Sequence, residues 1–395
     1  MKKTGIIVVI LLLACVYCTR MEKEADTKKP GYPAQEDIID GIKTVMNPDF
    51  PQDGRINYRI ADEIILGEEE GPEEGILFFP YDIRVDSQDQ IYVLDAEDVV
   101  IKIYDRNGIW IRNVGRKGQG PGEYMDISDF EVSHDGRIFI LDAQQHRVSI
   151  LRPDGTFDSS FLVKGYFFRL KVDKKEQVYL QQNISFTQKG NSGSHEMEMI
   201  LKRTDSKGKY LFEYGRFPYL KFVWRPRKTA QGIRVTSHWS REAHTTVWIV
   251  GKGGQLYVGY SEDYLVTVLD RRGKPLFKFG REFTPIKHPL YNPDLAHPKY
   301  YPAFYSRYLF IDDEENLWLK QYNENDKTNH LYDVFSPEGI FIRQAVVPEK
   351  ILRYQNGKAY SIVELESGIY AAKCYKLTED KSLESQTGSG GKEVR

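Results

Sequence analysis

Residues 81–115, YDIRVDSQDQIYVLDAEDVVIKIYDRNGIWIRNVG, and residues 127–157, ISDFEVSHDGRIFILDAQQHRVSILRPDGTF, spell one unit of about forty residues twice in succession. Each copy reads as strand, polar turn, strand, acidic loop, strand, Gly-ended turn and strand. That is a four-stranded meander whose apolar faces cannot be hidden within one unit, so the units must stack.

The most recognisable part of the unit is its second strand, where an aliphatic residue precedes an aromatic just after a polar turn. The pattern occurs six times, at Tyr92, Phe139, Tyr179, Tyr257, Trp318 and Tyr360, with spacings of 47, 40, 78, 61 and 42 residues. One sheet per occurrence gives six blades, with large insertions in the third-to-fourth and fourth-to-fifth intervals. The fourth strand gives an independent check through its Gly-ended turn: DRNG at 105–108, RPDG at 152–155, DSKG at 205–208, DRRG at 270–273 and SPEG at 336–339. A sixth is missing, and the chain after Ile351 holds residues for three strands, ending near Leu377. RINYRIADEIILG at 55–67 precedes the first complete unit and is expected to supply the absent strand, removing two open sheet edges.

The run GRKGQGPGEY at 115–124, followed by V-x-x-D-G-R-I-F-I-L-D-A-x-x-H-R-V-x-I-L, resembles NHL repeats, and the whole chain resembles bacterial lipoproteins of the six-bladed β-propeller type. The resemblance is strong over Gly67–Phe157, and from the third blade onward only the strand-turn rhythm continues. It implies an all-β, six-bladed propeller closed by an N-terminal strand against the C-terminal blade. It implies function less firmly, since such propellers include ligand-binding scaffolds and a few lyases and lactonases. The lactonase-like ones use a Glu, an Asn and an Asp from different blades around calcium. No cofactor is otherwise expected.

At the start, Lys2 and Lys3 precede an apolar run, Gly5–Ala14, too short to span a bilayer. Leu12-Leu13-Ala14-Cys15 resembles a lipobox, in which Cys15 would be acylated and become the mature N-terminus. Cleavage by the ordinary secretory peptidase is the alternative. Val16 after Cys15 does not favour retention at the inner membrane, and Tyr17 is too bulky to precede a cut at Cys18. Residues 1–18 are thus the signal and anchor region, placing the protein in the bacterial envelope, periplasmic or at the outer membrane. Residues 19–54, charged and with Pro30, Pro33, Pro48 and Pro51, read as a tether, within which Gly41–Met46 could add a short edge strand. The propeller spans 55–380, and 381–395 is a polar Gly/Ser-rich tail expected to be disordered.

A net charge of -2 over 395 residues offers no global field for nucleic acid or an anionic membrane, so contact with the membrane is expected through the lipid alone. Hydrophobic residues at 41% and aromatics at 13% supply ample core. With Cys15 and Cys18 ahead of the ring, Cys374 stands alone in an apolar strand and reads as core.

Strand parity carries the functional expectation. In each blade the first-to-second and third-to-fourth turns lie on one face of the ring. The second-to-third loops and the links between blades lie on the other. The first set is uniformly short (SQDQ, HDGR, KKEQ, GKGG, DEEN and the Gly-ended turns). Every excursion belongs to the second set: Gly115–Tyr124, Asn183–His195, Gly215–Ala243, Gly280–Tyr305 and Gln321–His330. A ligand or partner is expected on that elaborated face.

Within it, Gly215–Glu242 carries Arg216, Lys221, Arg225, Arg227, Lys228, Arg234 and Arg241 against one acid, interleaved with Phe217, Tyr219, Phe222, Trp224 and Trp239. Basic groups beside aromatic platforms suit an anionic glycan, a phosphorylated ligand or an acidic protein surface. The alternative is a long loop pinned by its aromatics with its charges in water. The next link, with His288, His297, Tyr300, Tyr301 and Tyr305, could form the opposite wall, and Arg116 and Lys117 are further possible contacts. Zinc has little support in His238 and His244. Asp95, Asp142 and His146 stand near the pore mouth, but the aspartates belong to the repeat and read as backbone hydrogen-bond acceptors. No Ser elbow or phosphate loop is present. The expectation is a binding module, with a metal-dependent hydrolase or lyase at the pore mouth as the alternative.

Overall fold

The computed structural model describes residues 32–67, 71–188, 194–229, 232–238, 243–292, 298–322 and 328–381. Three strands precede the first full unit: β1 (Gln35–Ile39), β2 (Ile42–Asn47) and β3 (Arg55–Leu66). Blade one is β4 (Pro80–Val85), β5 (Ile91–Asp95), β6 (Val100–Tyr104) and β7 (Trp110–Val114). Blade two is β8 (Asp129–Val132), β9 (Ile138–Asp142), β10 (Arg147–Leu151) and β11 (Phe157–Leu162). Blade three is β12 (Tyr166–Val172), β13 (Val178–Gln188), β14 (Ser194–Thr204) and β15 (Tyr210–Thr229), with β16 (Gly232–His238) added at its edge. Blade four is β17 (Thr246–Val250), β18 (Leu256–Tyr260), β19 (Leu265–Leu269) and β20 (Pro275–Arg281). Blade five is β21 (Phe310–Ile311), β22 (Leu317–Lys320), β23 (His330–Phe335) and β24 (Phe341–Val347), and blade six is β25 (Arg353–Gln355), β26 (Lys358–Glu364) and β27 (Tyr370–Glu379). Among the described residues the only helical turn is Glu73–Gly75. The protein is an all-β, six-bladed propeller.

All six signature aromatics lie on second strands and are buried, from 0% exposed at Phe139 and Tyr360 to 5% at Trp318. Each belongs to the apolar cluster its blade shares with the next. Tyr92 packs in the cluster of Phe130, Phe139 in that of Leu170, Tyr179 in that of Trp248, Tyr257 in that of Leu317 and Trp318 in that of Tyr375. Tyr360 of blade six completes the circle in the cluster of Ile83 and Tyr104 from blade one. Among the described residues, six clusters between six blades are how units that cannot bury a face alone become stable. Each large side chain removed from water contributes about 1.5–3 kcal/mol.

Blade six takes its outer strand from the N-terminal side. Tyr58–Leu66 of β3 pairs antiparallel with β27, while Arg55–Asn57 pairs parallel with β24 of blade five. The third-to-fourth turn of blade one then rests on β3, where a Cβ at Gly108 would fall 2.6 Å from Ile64 Cγ2. Cys374, on β27, is a buried free thiol.

Part of the stretch read as a tether is ordered. Residues 35–47 form the hairpin β1–β2, and β2 lies parallel to β20 on the outer edge of blade four. The physical reason is Asn47, buried to 1% exposure. Its Nδ2 donates to the carbonyls of Gly280 (2.8 Å) and Gly339 (2.9 Å), and its Oδ1 accepts from the Phe341 amide (3.0 Å). Gln52 and Asp53 then donate to the carbonyls of Phe341 and Ile342. The N-terminal segment thus covers the outer edges of blades four, five and six in turn.

Blade three also departs from the loop reading. Residues expected to form loops at 183–195 and 215–243 are largely strand: β13 and β14 stay paired as far as Gln188↔His195, through a bulge between Ile184 and Phe186, and β15 runs on to pair with β16. Cross-strand charge pairs support the extension, with Lys221 3.3 Å from Glu196 and Arg216 3.6 Å from Glu198. Because β13, β14, β15 and β16 are successively antiparallel, the β13–β14 and β15–β16 connections emerge at the same end of the sheet.

Candidate functional site

The innermost strands β4, β8 and β12 carry charges at alternate positions, which the two-residue period of a strand sends to one side, and β25 adds Arg353. Arg84 is 3% exposed. Its Nη1 lies 2.7 Å from Asp82 Oδ1, and its Nη2 donates to Asp129 Oδ1 at 3.0 Å. Its Nε stands 2.9 Å from Glu131 Oε1, an ion pair whose N–H points off the oxygen, so that Nε has no hydrogen bond. Lys171 Nζ donates to Glu131 Oε2 at 2.8 Å, and Arg353 Nη2 is 3.8 Å from Glu131 Oε1. Four blades thereby contribute three acids and three bases to one largely buried layer across the channel, with Asp82 and Arg353 half-buried at its edge.

The charges set one another's ionisation. Burial would raise Glu131, but Arg84, Lys171 and Arg353 outweigh it and pull its pKa down to about 2. Asp82, half-buried, is held below the usual carboxylate range by Arg84 and Lys171. Burial, reinforced by Arg84, brings Lys171 down to about 8 against the pull of Glu131 and Asp129.

Beside this layer, a cavity of about 670 Å³ is bounded by residues of every blade, among them Tyr81 and Ala96, Ser128, Arg169, Ile249, Leu309 and Arg353. Many of them lie at the starts of first strands and on blade-to-blade links. The cavity therefore opens on the face bearing the long excursions. Two guanidiniums here have no carboxylate within ion-pair distance among the described residues. Arg169 lies over the Trp248 ring at 5.3 Å. Arg307, on the link into blade five, reaches past blade six to blade one, donating to the Tyr81 carbonyl at 2.8 Å and lying over its ring at 4.7 Å. Phe79, Tyr81 and Phe168 stand 50%, 44% and 46% exposed at the same cavity.

The sequence-derived candidates fall elsewhere on this face or beyond it. Arg116 is exposed and pairs with Glu123 at 2.7 Å, and Lys117 bridges to Tyr124, so GRKGQGPGEY is a loop closed on itself. His288 is buried, its Nδ1 accepting from the Leu290 amide at 3.0 Å and its ring 4.5 Å from that of Tyr301. The Tyr300 carbonyl accepts from His244 Nε2 at 3.1 Å, and Lys299 Nζ lies over the Tyr300 ring at 5.2 Å. None of Arg116, Lys117, His288 and Tyr300 lines the cavity. Trp224, Arg225, Arg227 and Lys228 continue β15 beyond Tyr219 and Leu220, which do line it, and pair with Ser237, Thr236, Arg234 and Ile233 of β16. Trp239, Arg241, His297 and Cys15 lie outside the described residues.

Asp95 accepts from the amides of Phe78 and Phe79, Asp142 from those of Met125 and Gln145, and His146 Nδ1 meets the Gly165 carbonyl. For the two aspartates these are the backbone-accepting roles expected from the repeat. Among the described residues, no three His, Cys, Asp or Glu side chains are grouped as metal ligands, and no helix is long and apolar enough to cross a membrane. Sequence reading missed Arg84, Lys171, Arg353, Arg169 and Arg307. The available signal was charge at alternate positions of strands that otherwise alternate with apolar residues, as in Asp82/Arg84, Asp129/Glu131 and Arg169/Lys171.

Residues 76–221 match the DUF5128 family, described as a 6-bladed beta-propeller. No curated protein matches the chain. Among solved structures, a Bacteroides fragilis protein described as exported is similar at 12% identity and a TM-score of 0.52, over 84% of this chain and 99% of that one. A member of the DUF4221 family from Bacteroides vulgatus is similar at 10% identity and a TM-score of 0.51, over 82% and 99%. Virginiamycin B lyase from Staphylococcus aureus aligns at 10% identity and a TM-score of 0.41, over 80% and 99%. At these identities the likeness to the two Bacteroides proteins is one of fold alone.

Proposed function

We propose that this chain is an extracytoplasmic binding module, held to the bacterial envelope by acylation at Cys15, that recognises an anionic glycan on its elaborated face. The observation that carries this reading is the coincidence of two asymmetries. The long excursions and the mouth of the 670 Å³ cavity lie on the same side of the ring. A short-looped face offers little to grip, whereas a concave mouth beside a raised sheet offers both a pocket and an approach. β15 joins the two features, lining the cavity with Tyr219 and Leu220 and continuing into Trp224, Arg225, Arg227 and Lys228.

The test is capture of the purified chain on immobilised chondroitin sulfate and polygalacturonate, with dextran as the neutral control. The anionic polymers should retain it at low salt, and glutamate at positions 225, 227 and 228 together should abolish retention without lowering the melting temperature. Equal retention on dextran, or retention indifferent to the triple charge reversal, rejects the reading.

A further inference from the structure

We infer that the cavity at the channel mouth is a subsite for a single acidic ring, whose carboxylate or sulfate is attracted by the two uncompensated guanidiniums that line it, Arg169 and Arg307. This rests on the proposed recognition of an anionic ligand on the same face and specifies which part of it enters the ring.

Charge balance gives the sign of the ligand. The three bases of the inner layer, Arg84, Lys171 and Arg353, are matched by Asp82, Asp129 and Glu131. Of the remaining charges at the cavity, Asp126 accepts from the Ser128 hydroxyl at 2.9 Å and is not within ion-pair distance of either free arginine. Arg169 and Arg307 are thus two cations without a counter-charge among the described residues. Each is already oriented by an aromatic ring, Trp248 at 5.3 Å and Tyr81 at 4.7 Å, so little side-chain freedom is lost when an anion arrives. The Asn183 side-chain oxygen accepts from Gln181 Nε2 at 3.1 Å, leaving its amide N–H groups as further neutral donors.

Size and walls give the rest of the ligand. A volume of 670 Å³ holds a small molecule or one or two rings of a chain, not a length of polymer. Phe79, Tyr81 and Phe168 line this cavity and are 44–50% exposed overall, so a flat ring seated there would cover part of their apolar surface. A sugar acid at a chain end and a free aromatic acid share this chemistry of one ring and one anion.

Calorimetric titration and thermal melting of the purified chain, with glucuronate, glucose 6-sulfate and benzoate against glucose and benzyl alcohol, test the inference. The acids should bind and raise the melting temperature, with the neutral parents weaker by about tenfold or more. A preference for glucuronate over benzoate marks the sugar source and the reverse marks the aromatic one. Arg169→Gln and Arg307→Gln should each weaken the acids about tenfold, while Arg169→Lys retains part of the affinity. Arg116→Gln, at a paired arginine outside the cavity, should change nothing. Neutral parents binding as well as the acids, no acid binding at millimolar concentration, or undiminished affinity in both arginine variants would each overturn the subsite. If polymer capture then persists, recognition lies on the raised sheet. If the acids bind while polymers are not captured, the glycan reading falls and the subsite stands.

Discussion

Gly339 of blade five sits directly against Phe279 of blade four: a Cβ built on the glycine would lie 2.5 Å from the phenylalanine Cβ and 2.8 Å from its Cγ. The glycine also has φ +84°, a conformation L side chains rarely adopt. Turn geometry and inter-blade contact therefore demand the same residue. Gly339→Ala should cost about 2–4 kcal/mol, combining backbone strain with overlap against a fully buried ring. Gly368, in a turn of blade six, supplies the control: its φ is +82° but nothing lies within 4 Å of its Cβ position. Gly368→Ala should cost only about 1 kcal/mol. Urea midpoints of the two variants measure the contact by difference, and equal losses would remove it from the account.

The Asn47 side chain is the clasp of the N-terminal segment, joining the carbonyls of Gly280 and Gly339 and the amide of Phe341 from neighbouring blades. Asn47→Ala leaves three buried backbone groups unpaired, and should cost about 3 kcal/mol or more. Asn47→Asp should be no better, since a carboxylate would face two carbonyl oxygens. Hydrogen exchange offers a local readout: the Phe341 amide should lose protection first, together with β2. An unchanged exchange pattern would mean that pairing of β2 with β20 alone holds the hairpin.

The buried charge layer makes stability depend on pH with a definite sign. The folded pKa of Glu131, about 2, lies below its ordinary value near 4.3, so between those values the unfolded chain binds more protons than the folded one. Its stabilising contribution is complete above about pH 4.3 and falls away as pH drops through 2. Glu131→Gln should flatten that slope. At neutral pH it should also destabilise by about 3–5 kcal/mol, because Arg84 and Lys171 lose a shared counter-charge inside the protein. Denaturant melts of both proteins from pH 7 to pH 2 check the two effects separately.

The repeat was legible because local chemistry writes it: an aromatic after a polar turn, and a glycine before the last strand, recur whatever the rest of the blade does. The seat of each aromatic against the next blade was not legible, because it belongs to stacking and not to the unit. The channel was hidden for a similar reason. Arg84 meets Asp129 and Glu131 across 45 and 47 residues, and Arg307 meets Tyr81 across 226, so neither pairing leaves a local pattern. The raised sheet was mistaken for loops because its prolines and clustered bases are poor strand formers by composition. Pairing across β14 and β16 overrides that preference. Asn47 looked like one polar residue in a polar stretch, and its importance comes wholly from the backbone it meets.

One further regularity ties turn to aromatic. Asp312 Oδ1 accepts from the amides of Glu314 (2.9 Å) and Asn316 (2.8 Å), closing the first turn of blade five, while its Oδ2 accepts from Trp318 Nε1 at 2.8 Å. Asp86 with Tyr92 and Asp173 with Tyr179 repeat the arrangement at 3.0 and 3.2 Å, each six residues apart. The aspartate thus fixes the turn and orients the side chain that packs on the next blade. Asp312→Asn keeps an oxygen for the turn but presents an N–H to the indole donor, so it should cost about 1–3 kcal/mol. Trp318 is 5% exposed, and loosening its indole should shift its fluorescence to the red before global unfolding. Asp312→Ala removes the turn acceptor as well and should cost more than Asp312→Asn. Equal losses, with no spectral shift in either variant, would leave the aspartate a turn residue alone and separate the blade-to-blade packing of Trp318 from it.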